Sequence, residues 1–189
     1  MQPETPAPDQ AMIMTLEAWA DTIIPGEKRW PDDRAIAGVS TGGGSVAAGA
    51  IEVLQTDAGG LAPALPHLAN SLNGHATAYA AEQGLTLDDD VPPFVALASE
   101  HRIALVDRLC KPGHPEKQIW VNLAVFSNMA FDTGTHLSTP EALAAGHPGL
   151  THIGFRKPDA DGIWRFPDYT YHRQLAQPHP DTTPSGSPA

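Results

Sequence analysis

The run Ile119-Trp-Val-Asn-Leu-Ala-Val-Phe-Ser-Asn-Met-Ala-Phe131 is the segment of this chain hardest to leave in water. Wound into an α-helix it is apolar nearly all the way round, and such a helix belongs in the centre of a bundle. The spacing predicts it over about 115–137, with Pro115 in the first turn and an early Glu116, both favourable at a helix N-terminus. Elsewhere the apolar spacing is also helical. No alternating strand pair stands out, and no hairpin signal such as Asn-Gly lies between β-branched runs.

Four further helices are expected ahead of it. The first runs from Thr15, read as its N-cap, to Ile24, with Leu16, Trp19, Ala20 and Ile23 at spacings of three and four, and Pro25-Gly26 ends it. A second begins near Ser45, after Gly42-Gly43-Gly44, and carries Val46, Ala50, Val53 and Leu54 on one side. The third spans about 61–83, lined by Leu61, Leu65, Leu68, Leu72 and Tyr79, with Gly84 as its stop. Its other side, Ser71, Gly74, Ala78 and Ala81, is small enough to admit a close neighbour. A fourth starts at Ser99 and presents Ile103, Val106, Leu109 and Cys110. A short helix near 140–145 completes an all-α bundle of about five to six helices around a buried central helix. An irregular, aromatic-rich C-terminal arm follows it.

With 189 residues, 41% of them apolar, the chain suits one core. The proline-rich ends, residues 1–11 and 176–189, read as disordered tails, leaving one domain over 12–175 with the arm inside it. Acidic residues outnumber basic ones 22 to 11 and the basic ones are scattered. That argues against nucleic acid and against an anionic membrane as partners. No segment approaches the roughly 18–20 apolar residues of a membrane span. A single cysteine, Cys110, leaves no disulfide framework and no multi-cysteine metal site. With no signal-peptide pattern at the start, a cytoplasmic protein is expected.

The candidate chemistry is sparse. Asn128, Asp132 and His136 recur every four residues and form one stripe, which reads either as a hydrogen-bonded network fixing helix register or as an acid–base pair in which Asp132 orients His136. His75 falls on the leucine side of the third helix, either as a satisfied core histidine or as a group approaching His136. No Glu-x-x-His pair and no His-Glu-x-x-His is present, so no metal site is expected. Ser40-Thr-Gly-Gly-Gly-Ser45 lacks a preceding strand and a following lysine. A flexible connector, or a place where another backbone comes close, fits it better than a phosphate loop. Cys110 sits at a helix C-terminus, which disfavours a thiolate. Trp164, Phe166, Tyr169 and Tyr171 crowd the arm, either packing on their own bundle or anchoring a partner. Trp30 lies in the charged loop Glu27-Lys-Arg-Trp-Pro-Asp-Asp-Arg34, suited to local ion pairs or to a partner surface.

Leu16-Glu-Ala-Trp-Ala-Asp-Thr-Ile-Ile-Pro-Gly26, a charged loop, and then Ala37-Gly-Val39 resemble the N-terminal signature of the gluconate 2-dehydrogenase subunit 3 family. More widely, phrases such as Leu105-Val-Asp-Arg-Leu-Cys-Lys-Pro-Gly-His-Pro-Glu-Lys117, Phe126-Ser-Asn-Met-Ala-Phe-Asp-Thr-Gly-Thr-His-Leu137 and Pro158-Asp-Ala-Asp-Gly-Ile-Trp-Arg-Phe-Pro-Asp-Tyr-Thr-Tyr171 are similar to an uncharacterised actinobacterial family (DUF5987-like) of the same general kind. The resemblance implies a helical accessory subunit or companion of a FAD-dependent oxidoreductase of the glucose-methanol-choline (GMC) type. The large subunit would hold FAD and do the hydride chemistry, and this chain would bind no cofactor and bring no catalytic residues. Trp30 and the four arm aromatics would then face the partner. The twin-arginine export signal that often heads subunit 3 proteins does not appear, which favours a cytoplasmic companion in specialised metabolism. The alternative is a stand-alone small-molecule enzyme with Asp132 and His136 as acid and base, and His75 nearby.

Overall fold

The computed structural model describes residues 8–157 and 180–181. Through Phe155 the chain forms one compact unit; of a second unit, Arg156–Ala189, the described residues are 156, 157, 180 and 181. Trp164, Phe166, Tyr169 and Tyr171 therefore lie outside the described residues, as does most of the C-terminal tail. Among the described residues there are eight α-helices and no strand: α1 (Pro8–Ile23), α2 (Ala50–Gln55), α3 (Leu65–Gln83), α4 (Pro93–Ala96), α5 (Ser99–Cys110), α6 (Lys117–Thr133), α7 (Thr139–Ala144) and α8 (Pro148–His152). The all-α bundle around a buried central helix is what the sequence led us to expect. Which helix is central is not.

That helix is α1. Every residue from Thr15 to Asp21 is buried, and α1 touches α2, α3, α4, α5 and α6. The expected centre, α6, buries one stripe, Trp120, Leu123, Ser127 and Ala130, and leaves Ile119 and Val125 about half exposed. The inversion has a physical cause. Ala18 and Ala20 contribute little to a hydrophobic pattern but let neighbouring helices close in, and Glu17 and Asp21 read as solvent-facing although both are buried with partners. The first helix also starts seven residues ahead of its expected cap, so 8–11 belong to α1 and not to a tail. Thr15 is no cap, because its hydroxyl donates back to the Ala11 carbonyl at 2.8 Å.

The main core stacks Trp19 between Trp120, with centroids 5.5 Å apart, and Phe94, at 6.3 Å. Tilted aromatic pairs of this kind add about 0.5–1.5 kcal/mol beyond their buried area. Leu16, Leu54, Leu72, Leu105, Leu109 and Leu123 surround them. A second, tighter contact joins α1, α2 and α6 through Ala20, Ala50, Val53 and Ala130.

Helix ends follow local chemistry. Gly84, at φ 67°, closes α3 as expected. Regular α2 begins only at Ala50, because Ser45 is used otherwise: buried, it donates to the Ser127 carbonyl of α6 at 2.7 Å. Ser138 and Glu141 form a capping box on α7. The small side of α3 stays open among the described residues, with Gly74, Ala78 and Ala81 exposed.

Candidate functional site

The turn after α1 is built by one carboxylate. Asp21, 3% exposed, accepts the Gly26 amide on Oδ1 at 3.0 Å and the Ala37 amide on Oδ2 at 2.8 Å. The two halves of the sequence signature, the Pro25-Gly26 turn and the Ala37-Gly-Val39 stretch, are thus tied to the same side chain. Burial raises the Asp21 pKa above its ordinary 3.8, against the lowering effect of both amides and of Arg102. The Gly42-Gly43-Gly44 run packs onto this turn. Glu27 N–H donates to Gly42 O at 2.8 Å, and Ser45 N–H to Ile24 O at 3.0 Å. A Cβ on Gly26 would lie 2.5 Å from the Gly44 nitrogen, and one on Gly44 would strike the Ile24 carbonyl. Of the two readings of the glycine run, close backbone approach is the one realised.

The charged loop beyond the turn is equally fixed. Arg29 forks onto Glu17, at 2.5 and 2.8 Å, and onto Asp33, at 2.7 and 3.2 Å. Glu17 and Asp33 are both buried. These bonds raise the Arg29 pKa. Burial alone would raise that of Asp33, but the Arg29 bond and charge, with the Ile36 amide, hold it below 3.8. Beneath the loop, buried Arg102 donates to four carbonyls: Leu97 at 2.9 Å, Ala35 at 2.8 Å, Arg34 at 3.0 Å and Val95 at 2.6 Å. Desolvation lowers its pKa, opposed by the charge of Asp21.

This frame holds up Trp30. The indole is 53% exposed, with the Arg29 guanidinium 4.6 Å from its ring centre. It borders a surface groove of about 480 Å³ lined by Ile13, Met14, Glu17, Arg29, Trp30 and Asp32, among others. A second groove of about 510 Å³ lies between the end of α3 and the 85–93 segment, and no candidate residue lines it.

The two candidate histidines, His75 and His136, lie in separate neighbourhoods. His75 Nε2 sits 2.6 Å from Glu116 Oε2, which also accepts the Trp120 indole N–H at 3.1 Å, and its ring edges onto Trp120 and His114. The His75 bond, then the Trp120 bond, lowers the Glu116 pKa. His136 belongs to the other end of α6. Its ring packs so closely on Gly49, at φ 90°, that a Cβ there would collide with it, and it faces His147 at 6.2 Å. Trp120 and Thr133 of α6 are separated by roughly 20 Å at 1.5 Å per residue, so the structure does not bring His75 to His136. Asp132 pairs with Asn128, which donates at 2.8 Å, while Asp132 Oδ1 and His136 Nδ1 are buried with no hydrogen-bond partner. Among the described residues no group of three His, Cys, Asp or Glu is placed to hold a metal ion.

A third histidine, His147, carries no ligand spacing in the sequence, and a proline follows it. It is buried, caps α8 by accepting the Leu150 amide at 3.3 Å, and reaches Ala48 O at 3.0 Å. A histidine directly before Pro at a helix start is the signal that was there to find. Arg102 and Glu17 were passed over, being charges at helical positions whose partners are remote in sequence.

A family model matches residues 10–189, which takes in all of α2–α8, α1 from its third residue on, and the stretch after α8. The chain belongs to DUF5987, a family of unknown function. No curated protein and no solved structure matches it. Among the described residues no helix is long and apolar enough to cross a membrane.

Proposed function

We propose that this DUF5987 protein is a non-catalytic companion subunit that binds and stabilises a FAD-dependent oxidoreductase of the GMC type, with FAD and the hydride chemistry on the partner. One observation carries the reading. The segment resembling the subunit 3 signature is built into a rigid frame, with both Asp21 oxygens taken up by amides and Arg29 held between two carboxylates, and what that frame offers to solvent is Trp30. A buttressed, exposed tryptophan is the side chain of an interface anchor. The partner-facing role of Trp164, Phe166, Tyr169 and Tyr171 belongs to the same proposal. So do a cytoplasmic location, which cell fractionation checks, and a place in bacterial specialised metabolism.

Co-expression with GMC-type oxidoreductases from the same genome is the test. A stoichiometric complex on size exclusion, with more soluble and more fully flavinated partner, is the expected result. A chain that stays apart and leaves the flavoprotein's solubility and activity unaltered would remove the proposal.

A second reading, a small-molecule enzyme using Asp132 and His136, draws on Asp132 Oδ1 and His136 Nδ1, two of the three unpartnered buried side-chain atoms among the described residues, the third being Trp19 Nε1 in the core. Buried polar atoms without partners are rare enough to need a reason. His75 drops out of that mechanism, since its partner is Glu116. Turnover of a small molecule by the purified chain alone, lost in both Asp132→Asn and His136→Gln, would establish this reading; a chain inert alone across a broad substrate screen counts against it.

A further inference from the structure

We propose that the groove beside Trp30 is where the oxidoreductase partner docks, and that it takes an apolar side chain carried next to a lysine or arginine. The inference rests on the companion reading and adds the surface and the chemistry of its occupant.

The groove has a floor and a wall of different origin. Ile13, Met14 and Glu17 belong to one stripe of α1, the helix buried deepest in the bundle, so the floor is part of the core scaffold. The wall is the Arg29–Ala35 loop, whose conformation is set by Arg29 and Arg102 through the bonds described above. Trp30 therefore borders the apolar Ile13 and Met14 of the floor, on a loop with little freedom left to lose. Binding at such a site gives up less ordering entropy than binding at a mobile one.

Charge selects the occupant. Arg29 is saturated by Glu17 and Asp33, and Arg34 pairs with Asp88 at 2.7 Å. Asp32, exposed at the groove beside Trp30, makes no ion pair among the described residues. The groove thus has an unmatched carboxylate and no unmatched guanidinium, on a chain of net charge −11. A second copy of this chain would bring more negative charge to Asp32, and an anionic ligand would be repelled. A basic residue flanking an apolar anchor satisfies both features, its stem lying on Trp30 and its head at Asp32.

The probe is a purified GMC-type oxidoreductase from the same genome, titrated into the full chain and into Trp30→Ala, Asp32→Lys and, as a control on the other groove, Asp89→Lys. Trp30 and Asp32 are exposed, so unchanged thermal unfolding verifies that all variants are folded. Trp30→Ala and Asp32→Lys are each expected to weaken binding about tenfold or more, the usual scale of an interface anchor, with Asp89→Lys within about twofold of the parent. The salt dependence of binding should flatten in Asp32→Lys. Parent-like affinity in both groove variants overturns the inference while leaving the companion reading intact. No complex with the parent chain overturns both. Self-association of the parent, lost in Trp30→Ala, assigns the groove to a second copy and overturns the proposal.

Discussion

Every side-chain polar atom of buried Asp21 and Arg102 has a partner, whereas at the C-terminal end of α6 the buried atoms Asp132 Oδ1 and His136 Nδ1 have none. The first region joins segments far apart in sequence, 21 to 37 and 102 to 34–35, and each bond converts a potential desolvation loss into a constraint on the backbone. The second packs its rings tightly, His136 on Gly49 and His147 beside it, without satisfying them. Complete satisfaction goes with a loop held in one conformation; incomplete satisfaction marks where a further partner atom, from solvent or a ligand, would gain most.

Substitutions should separate the two regions sharply. Arg102→Met leaves four carbonyls without their donor and Asp21 without its nearby positive charge. It should lower the unfolding free energy by about 3–5 kcal/mol, measured by urea denaturation. A loss under about 1 kcal/mol would mean that water replaces the guanidinium and that the network is not what fixes the loop. Next in size is Gly44→Ala. The new methyl meets the backbone of Ile24 and Pro25, which cannot rotate away, so about 1–3 kcal/mol is expected. Trp30 should then become more mobile, visible as altered nitrogen-15 relaxation of its indole N–H. Asp132→Asn, by contrast, should stay within about 1 kcal/mol of the parent, because one of the two oxygens it changes has no bond to lose. A larger loss there would reveal a bridging water or ligand.

The sequence disclosed the helices better than their roles. Gly84, Pro25-Gly26 and the glycine run each announced a local requirement, a stop, a turn or a close approach, and local requirements are visible locally. The central place of α1 was hidden because its burial depends on alanines and on two carboxylates whose partners lie 5, 12 and 16 residues away. Arg102 reads as a surface residue on an amphipathic helix; only the fold brings Arg34 and Ala35 to it, 68 and 67 residues off. Asp132 and His136 were legible as a stripe. Yet α6 ends at Thr133 and Gly134 turns left-handed, so the helical spacing that linked them stops before His136.

Acid pH offers the finest contrast, now within the satisfied region itself. Asp33 has a folded pKa below its ordinary 3.8, so the stabilisation it gives is complete above that pH and is lost as pH falls through the lower folded value. Asp21 has a folded pKa above 3.8, so its contribution is complete below 3.8 and declines as pH rises through the higher folded value. The difference in unfolding free energy between the parent and Asp33→Asn should therefore shrink as pH drops below about 3.8, whereas that between the parent and Asp21→Asn should shrink as pH climbs above it. Each slope is bounded by one proton, about 1.4 kcal/mol per pH unit. Parallel slopes would mean that the two carboxylates titrate as one coupled unit through Arg102, whose charge acts on both; opposite slopes would mean that Arg29 governs Asp33 alone and that the loop carrying Trp30 can be loosened by acid while the Pro25-Gly26 turn stays tied.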